Sequence, residues 1–166
     1  MPFADYLGNA ATVQSLRGML VHDRLPQTLL FSGPRGIGKA TLGRYLAAAI
    51  HCPDAPADDF CGQCTSCMRV LAADLSLPEH QEQFEERQKM PAAKRGENPL
   101  VVSTHPDYLI FPPDGPLRMI GIEQARKMRS AARFNPSEGS RRIFVLDGAD
   151  RANDDAANSL LKTLEE

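Results

Sequence analysis

The sequence has 166 residues, of which 42% are hydrophobic and 24% are charged, so it suits one compact domain with a small insertion and excludes a wholly disordered chain. Its 19 Lys and Arg residues against 21 Asp and Glu residues give a net charge of −2, which argues against a dedicated nucleic-acid binder. Because it has neither a run of roughly 18 apolar residues nor a secretion signal at its N-terminus, we expect a cytoplasmic protein.

The sequence predicts helices and strands that alternate along the chain. Four segments carry apolar residues at helical spacing, and three short apolar runs have the length of buried strands. This order is typical of an α/β protein in which helices flank both faces of a parallel sheet. In chain order, we predict a helix over 10–25, a strand over 28–32, a helix over about 39–50, a strand over 108–111, a helix over 122–134, a strand over 142–147 and a helix that begins at 153 or 154.

The segment from Asp74 to Thr104 differs in composition from the rest of the chain. It is rich in Glu, Gln, Lys and Pro and contains few aromatic residues. Residues 79–89 are consistent with a solvated helix, and residues 90–99 with a mobile linker. We interpret 74–104 as a polar insertion, disordered in part, that has no task of its own.

A glycine-rich turn lies between the first predicted strand and the next helix. It begins G-x-x-x-x-G-K, and its three glycines allow a tight turn whose N–H groups converge on one phosphate group. The lysine would reach the outer phosphates, and the helix adds the positive end of its dipole. An ordinary turn is the alternative, but the strand–loop–helix context favours a phosphate loop. The candidate nucleotide-binding residues of the turn are Gly33, Pro34, Arg35, Gly36, Ile37, Gly38, Lys39, Ala40 and Thr41.

This loop lacks the hydroxyl group that follows the lysine in a working phosphate loop. Ala40 stands where Ser or Thr would bind Mg²⁺, and Thr41 points about 100° further round the helix. Asp147, at the end of the last predicted strand, is the candidate second carboxylate, but Gly148 follows it where hydrolysing enzymes of this architecture carry Glu. We therefore expect phosphate binding, doubtful Mg²⁺ binding, and ATP hydrolysis that is very slow or absent. Asp147 and Asp150 also fit a turn and a helix cap.

All four cysteines lie in the short segment 52–67. Their spacing is C-x8-C-x2-C-x2-C, so two overlapping C-x-x-C steps bring three thiolates together and a proline-containing loop returns the first. Four thiolates without an open position describe a structural zinc site, and a reducing compartment favours a metal over disulfides. A redox C-x-x-C pair and an iron–sulfur cluster are the alternatives. The predicted zinc ligands are Cys52, Cys61, Cys64 and Cys67.

In combination, these motifs resemble the clamp-loader subunits of bacterial DNA polymerase III, which are AAA+ proteins with a P-loop NTPase fold. The resemblance covers nearly the whole chain in order: LPQTLLFSGPRGIGKATL, the four-cysteine module after it, HPDY at 105–108, I-x-I-x-Q-x-R at 120–126 and NSLLKTLEE at 158–166. It implies a RecA-like AAA+ domain over 1–166 with the zinc module at 52–67 inserted in it. It also implies gamma, tau and delta subunits as partners, and a sliding clamp and primed DNA reached through the complex.

Within that family, the sequence is more similar to the delta prime type than to the motor subunits gamma and tau. The motors keep G-K-T in the loop and an acidic pair after the strand, where this sequence has Ala40 and Asp147-Gly148. The resemblance implies a rigid subunit that hydrolyses ATP poorly, closes the ring of subunits and provides an arginine in trans. That arginine, the helical lid and the collar domain would lie beyond residue 166. Because the last predicted helix ends on two carboxylates, against its own dipole, we expect a truncated chain.

Two other functions remain open on the residues alone. One is a catalytically competent P-loop ATPase or kinase, including a gamma/tau-like motor subunit of the same complex, which Ala40 and Gly148 disfavour. The other is a zinc module that binds nucleic acid, which the charge balance disfavours. The basic helix face at 126–133 fits DNA phosphate, a neighbouring subunit or plain solvent. His105 is expected to pack rather than to react.

Overall fold

The structure, a computed structural model, describes residues 2–165 of the chain, so Glu166 at the end of the last predicted helix lies outside them. These residues form an α/β fold with short 3-10 turns at Pro2–Asp5 and Ala149–Arg151. None of the described helices is long and apolar enough to cross a membrane. The helices are α1 (Ala10–Val21), α2 (Lys39–His51), α3 (Thr65–Leu71), α4 (Pro78–Lys89), α5 (Ala92–Glu97), α6 (Ile122–Ala132) and α7 (Asp154–Glu165), and the strands are β1 (Val102–His105), β2 (Tyr108–Phe111) and β3 (Ile143–Leu146).

The sheet is small and mixed, with the strand order β1-β2-β3. β2 and β3 are parallel, with Tyr108 opposite Ile143 and Phe111 opposite Leu146, and α6 lies in the crossover between them. β1 is antiparallel to β2, because only two residues connect these strands and a parallel pair needs a long crossover. The structure therefore shows a small mixed sheet, in which only the β2–β3 pair is parallel, instead of the parallel sheet predicted from the sequence.

The predicted strand at 28–32 is not a strand in the structure. These residues pair with no strand among those described, and the side chain of Leu30 is 81% exposed. A strand needs a neighbour for its backbone N–H and C=O groups, and the apolar character of the run says nothing about whether that neighbour is present. The prediction of a buried strand in this position is wrong for the described chain.

Helices cover both faces of the sheet, as the sequence pattern predicts. Side chains of β2 alternate between the faces, so Tyr108 and Ile110 join the core under α2 and α3. Phe111 joins the smaller core under α6 and α7 on the opposite face. The main core contains Val13, Leu16, Leu42, Leu46, Phe60, Val70, Leu100 and Val102, and the smaller core contains Ala125, Met128, Ala156 and Leu160.

The segment 74–104 is folded onto the domain. Helix α4 covers the predicted solvated helix but buries Phe84 and Arg87, and α5 lies within the predicted linker. Arg87 donates two N–H groups to the carboxylate oxygens of Asp114, at 2.8 and 2.6 Å. The polar composition of the segment does not indicate this ion pair, which anchors the segment to the domain, because the partner of Arg87 is 27 residues further along the chain.

Replacing Arg87 by Ala is expected to lower the free energy of unfolding by about 3 kcal/mol, because the nearly buried Asp114 carboxylate loses its cation. Urea unfolding followed by circular dichroism measures this change. The matched control is Arg126→Ala, which removes a more exposed pair with Glu123 at 2.6 Å. The control should lose less than about 1 kcal/mol. Equal losses in the two variants would contradict the role of Arg87 as an anchor.

Candidate phosphate loop and four-cysteine site

Residues 33–38 form the turn that enters helix α2. Gly36 and Gly38 have φ angles of +83° and +92°, a left-handed conformation that residues with a Cβ rarely adopt. Gly38 also has no side chain with which to cap the helix, so the first N–H groups of α2 are left without a capping partner. Such N–H groups at a helix N-terminus bind anions. This backbone is suited to hold a phosphate group.

The ammonium group of Lys39 lies across the same turn. Its Nζ donates to the carbonyl oxygens of Gly33 and Pro34, each at 2.8 Å. A phosphate carries a full negative charge and is a stronger acceptor for an ammonium group than a neutral carbonyl. The loop therefore keeps its lysine close to the position that an anion would occupy.

No hydrogen bond or ion pair among the described residues connects the side chains that are expected near a bound Mg²⁺. Ala40 is exposed in the first turn of α2 and has no side-chain oxygen, and Thr41 is half-buried beside it. Asp147 directly follows β3, but among residues 2–165 no hydrogen bond or ion pair joins its carboxylate to the turn at 33–41. Asp150 is exposed in the 3-10 turn that follows. The geometry thus supplies groups for phosphate and none that is assembled for the metal.

Asp107 is a buried carboxylate whose role the sequence analysis missed. It accepts the backbone N–H groups of Ser137, Glu138 and Gly139 at 2.7, 2.8 and 3.1 Å. Arg142 approaches it at 3.3 Å. Burial alone would raise the pKa of Asp107, but these donors outweigh burial and lower the pKa to about 2. This carboxylate fixes the chain that leads into β3, and its partners lie too far along the sequence for a local pattern to find them.

His105 packs inside the domain. Its side chain is buried, and its Nε2 atom lies 3.0 Å from the hydroxyl oxygen of Ser66. Its other ring nitrogen accepts the backbone N–H of Asp107 at 3.1 Å. Burial lowers the pKa of His105, which favours the neutral imidazole that these contacts require. The arrangement agrees with the expectation that His105 has a structural role.

The four cysteines converge between the end of α2 and the start of α3. Their Sγ atoms all lie within 4.8 Å of one another. Four Zn–S bonds of about 2.3 Å place tetrahedral sulfurs roughly 3.8 Å apart, and the Sγ atoms of Cys61 and Cys67 are 4.0 Å apart. The backbone N–H groups of Gln63 and Cys64 donate to Cys61 Sγ at 3.4 and 3.2 Å. This donor set could bind a metal ion such as zinc and leaves no position open for chemistry.

The thiols of this cluster differ in acidity. The backbone N–H groups of Gln63 and Cys64 lower the pKa of Cys61 to about 7. Burial raises the pKa of Cys64 and of Cys67. A metal ion binds thiolates, so it must displace the protons of the buried thiols, and its affinity decreases as the pH falls.

Comparison with known proteins identifies relatives of the chain. Residues 8–166 match the family described as DNA polymerase III, delta subunit. The chain is 26% identical to DNA polymerase III subunit tau of Bacillus subtilis over 164 residues, which are 99% of this chain and 23% of that protein. It is 31% identical to DNA polymerase III subunit delta' of Pseudomonas aeruginosa over 137 residues, 82% of this chain and 33% of that protein.

A further relative is DNA polymerase III subunit tau of Escherichia coli, at 25% identity over 99% of this chain and 20% of that protein. The chain spans about a third or less of the length of these three relatives.

Metal analysis of the purified chain is expected to find one zinc ion per chain, and Cys67→Ser to weaken zinc binding by more than about 100-fold because a buried ligand is lost. Competition with a chromophoric chelator measures the affinity. Gln63→Ala is the control, because this exposed residue contributes only its backbone N–H to the cluster. A chain isolated with disulfides and no metal would contradict the assignment.

Asp107→Asn is expected to lower the free energy of unfolding by about 2 kcal/mol at pH 7, since the native contacts prefer the carboxylate. The pKa of Asp107 is lowered from 3.8 to about 2, so its contribution is complete above about pH 4 and is lost as the pH falls toward 2. Urea unfolding of both proteins should therefore show a difference that shrinks over this range. A difference that is independent of pH would show that the charge of Asp107 is unimportant. Asp150→Asn, at an exposed site, is the control.

Proposed function

The chain belongs to the family described as DNA polymerase III, delta subunit, and from that premise we propose that it is the nucleotide-binding-fold part of a clamp-loader subunit of the delta prime type. In this proposal it helps to load a sliding clamp onto primed DNA during replication, as a scaffold with weak or absent ATP hydrolysis. The observation that carries the proposal is a phosphate loop that keeps Lys39 but has Ala40 in place of the neighbouring hydroxyl residue.

Phosphate binding is the first half of the proposal. The uncapped N–H groups at the start of α2 and the ammonium group of Lys39 face the same turn, so both would stabilise the charge of an outer phosphate. The proposed nucleotide-binding residues are those of the turn and of the first residues of α2, 33–41, together with Asp147. A P-loop NTPase fold of the AAA+ type is the arrangement in which these residues would act together.

Loss of hydrolysis is the second half. A bound Mg²⁺ would neutralise charge that develops on the transferred phosphate, and the hydroxyl after the lysine is one of its usual ligands. Ala40 offers a methyl group at that position, and Gly148 offers no carboxylate to orient water. Removal of a single well-placed polar group costs roughly 10²–10³ in rate, and here two are missing. Very slow turnover follows from the residues themselves.

The four-cysteine module has a structural role in this proposal. Zinc would stabilise a short excursion that has few regular hydrogen bonds of its own. The module is attached to the domain by Arg17 of α1, which pairs with the Asp58 carboxylate at 2.6 Å. It is also attached by Asp59, whose buried carboxylate accepts the N–H groups of Phe3 and Phe60 at 3.3 and 2.9 Å.

Partner subunits follow from the same premise. Relatives of the chain are named as tau, gamma/tau and delta' subunits of DNA polymerase III. We propose that this chain assembles with gamma or tau and delta subunits, and that it reaches the sliding clamp and primed DNA through the complex. The net charge of −2 supports contact with DNA through the assembly rather than by this domain alone.

A competent motor subunit is the second candidate. It is favoured by the extent of similarity, because the tau relatives of Bacillus subtilis and Escherichia coli match 99% of the chain and the delta' relative matches 82%. The chemistry of the loop weighs against it. A steady-state assay of ATP hydrolysis separates the two candidates, since a motor subunit would release phosphate in a reaction that Lys39→Ala abolishes.

Ala40→Thr is expected to increase the Mg²⁺-dependent affinity for ATP by about tenfold, because it restores an oxygen ligand to the loop. Titration with a fluorescent ATP analogue, with and without Mg²⁺, measures the change. Ala40→Val is the matched control, since Val has the shape of Thr without its hydroxyl. If both variants bind ATP alike, the missing oxygen does not limit this site. Rapid phosphate release by the unmodified chain would contradict the proposal as a whole.

A further inference from the structure

We propose that Tyr6 is a positioning residue for the phosphate loop, and that a cluster of aromatic rings holds Tyr6 in place from the four-cysteine module. The aromatic cluster consists of Phe3, Tyr6, Tyr45 and Phe60. The proposal rests on the proposed function only in calling the turn at 33–38 a phosphate loop, because the contacts themselves require no nucleotide.

Tyr6 contacts the loop at its last glycine. Its hydroxyl oxygen lies 3.3 and 3.4 Å from the carbonyl oxygens of Ile37 and Gly38. A Cβ added to Gly38 would lie 2.9 Å from that hydroxyl oxygen and 3.3 Å from the ring. The ring therefore packs directly against the backbone of Gly38. These hydrogen-bond distances are longer than the usual ~2.8 Å for a hydroxyl donor, so ring packing contributes more to the contact than the hydroxyl does.

The aromatic cluster connects Tyr6 to the interior. Tyr6 meets Tyr45 edge-on with ring centroids 6.2 Å apart, and Tyr45 meets Phe60 at 5.0 Å. Phe3 contacts both Tyr45 and Phe60, at 6.1 and 5.7 Å. These separations and edge-on angles are those of favourable aromatic pairs. A displacement of one ring is therefore resisted by the others.

The aromatic cluster is attached to the four-cysteine module through Phe60. Phe60 is buried and directly precedes the predicted ligand Cys61. Asp59, the residue before it, accepts the N–H groups of both Phe60 and Phe3. A metal ion that fixes Cys61 would thus also fix the backbone of Phe60, and with it the base of the aromatic cluster.

Tyr45 connects the aromatic cluster to the loop a second time, through helix α2. It lies on α2, six residues after Lys39, so the helix that begins at the loop is held from one side by the same rings. The loop is therefore supported at Gly38 by Tyr6 and along α2 by Tyr45. Loss of metal from the module would loosen the rings, and the loop would open more often.

Hydrogen exchange of backbone amides tests this inference on the full chain, prepared with zinc and after chelation. In Tyr6→Ala, the amide of Leu42, which donates to the Gly38 carbonyl oxygen at 2.9 Å and so reports on the loop, should exchange about fivefold faster than in the unmodified protein, the effect of one lost aromatic contact. Amides of β2 and β3 serve as the internal reference and should be unchanged. Tyr6→Phe should restore most of the protection, because it keeps the ring.

Two further comparisons make the test specific. Tyr45→Phe is the matched control, since the Tyr45 hydroxyl makes no hydrogen bond among the described residues, and its loop should exchange like that of the unmodified protein. Chelation should accelerate loop exchange in the unmodified protein. It should have less effect in Tyr6→Ala, because this variant has already lost the contact between the aromatic cluster and the loop. If Tyr6→Ala also loses protection in β2 and β3, Tyr6→Leu replaces it, with the same expectation for the loop.

Equal loop exchange in Tyr6→Ala and the unmodified protein would overturn the role of Tyr6. Equal loop exchange with and without zinc would overturn the connection to the module. Neither readout involves ATP, so a failure of the proposed nucleotide binding would leave these results unaffected. ATP titration of the same variants reports on that function separately.

Discussion

Helix α2 is the constraint on which both candidate sites depend. It begins directly after the glycine-rich turn at 33–38, the candidate phosphate loop, and ends directly before the first cysteine of the module. Its 13 residues form a rod of about 20 Å, and its second half is buried at Ala47, Ala48 and Ala49. These small side chains allow the module to approach closely, since Cys67 Sγ lies 4.0 Å from the carbonyl oxygen of Ala48. A buried helix cannot shift without disturbing the core, so it fixes the separation between the two sites.

Local features of the structure could be predicted from the sequence, whereas long-range contacts could not. The spacing of the cysteines indicates their convergence because a few residues of turn determine it, and the stripe of apolar residues predicts α2 for the same reason. The strand at 28–32 is predicted from a short apolar run between Pro26 and Gly33, a pattern that carries no information about a pairing partner. By contrast, two sets of polar contacts join segments that are distant in sequence. They are the Arg87–Asp114 ion pair and the contacts of four donors to the Asp107 carboxylate. For Tyr6, no local pattern distinguishes a ring on the loop from a ring in the core.

Phosphate binding and phosphate transfer place different requirements on the loop, and this chain meets the two to different extents. Phosphate binding needs a turn, uncapped N–H groups and a cation, and the structure has all three around Gly38 and Lys39. Phosphate transfer needs a metal ion held by protein oxygens and an oriented water molecule. Ala40 and Gly148 remove side-chain groups on which that second requirement depends. In the proposed function, such a domain would keep the shape of a nucleotide site and would be a part that other subunits press against, without a cycle of its own.

The most direct measurement of this difference is the affinity of Mn²⁺, as a substitute for Mg²⁺, for ATP that is bound to the chain, determined by electron paramagnetic resonance. Free Mn²⁺ gives a sharp signal that disappears on binding, so the affinity for protein-bound ATP can be compared with the affinity for free ATP. The account predicts that the two affinities are nearly equal, because no protein oxygen at position 40 is available to the ion. A clearly tighter affinity for protein-bound ATP would contradict it.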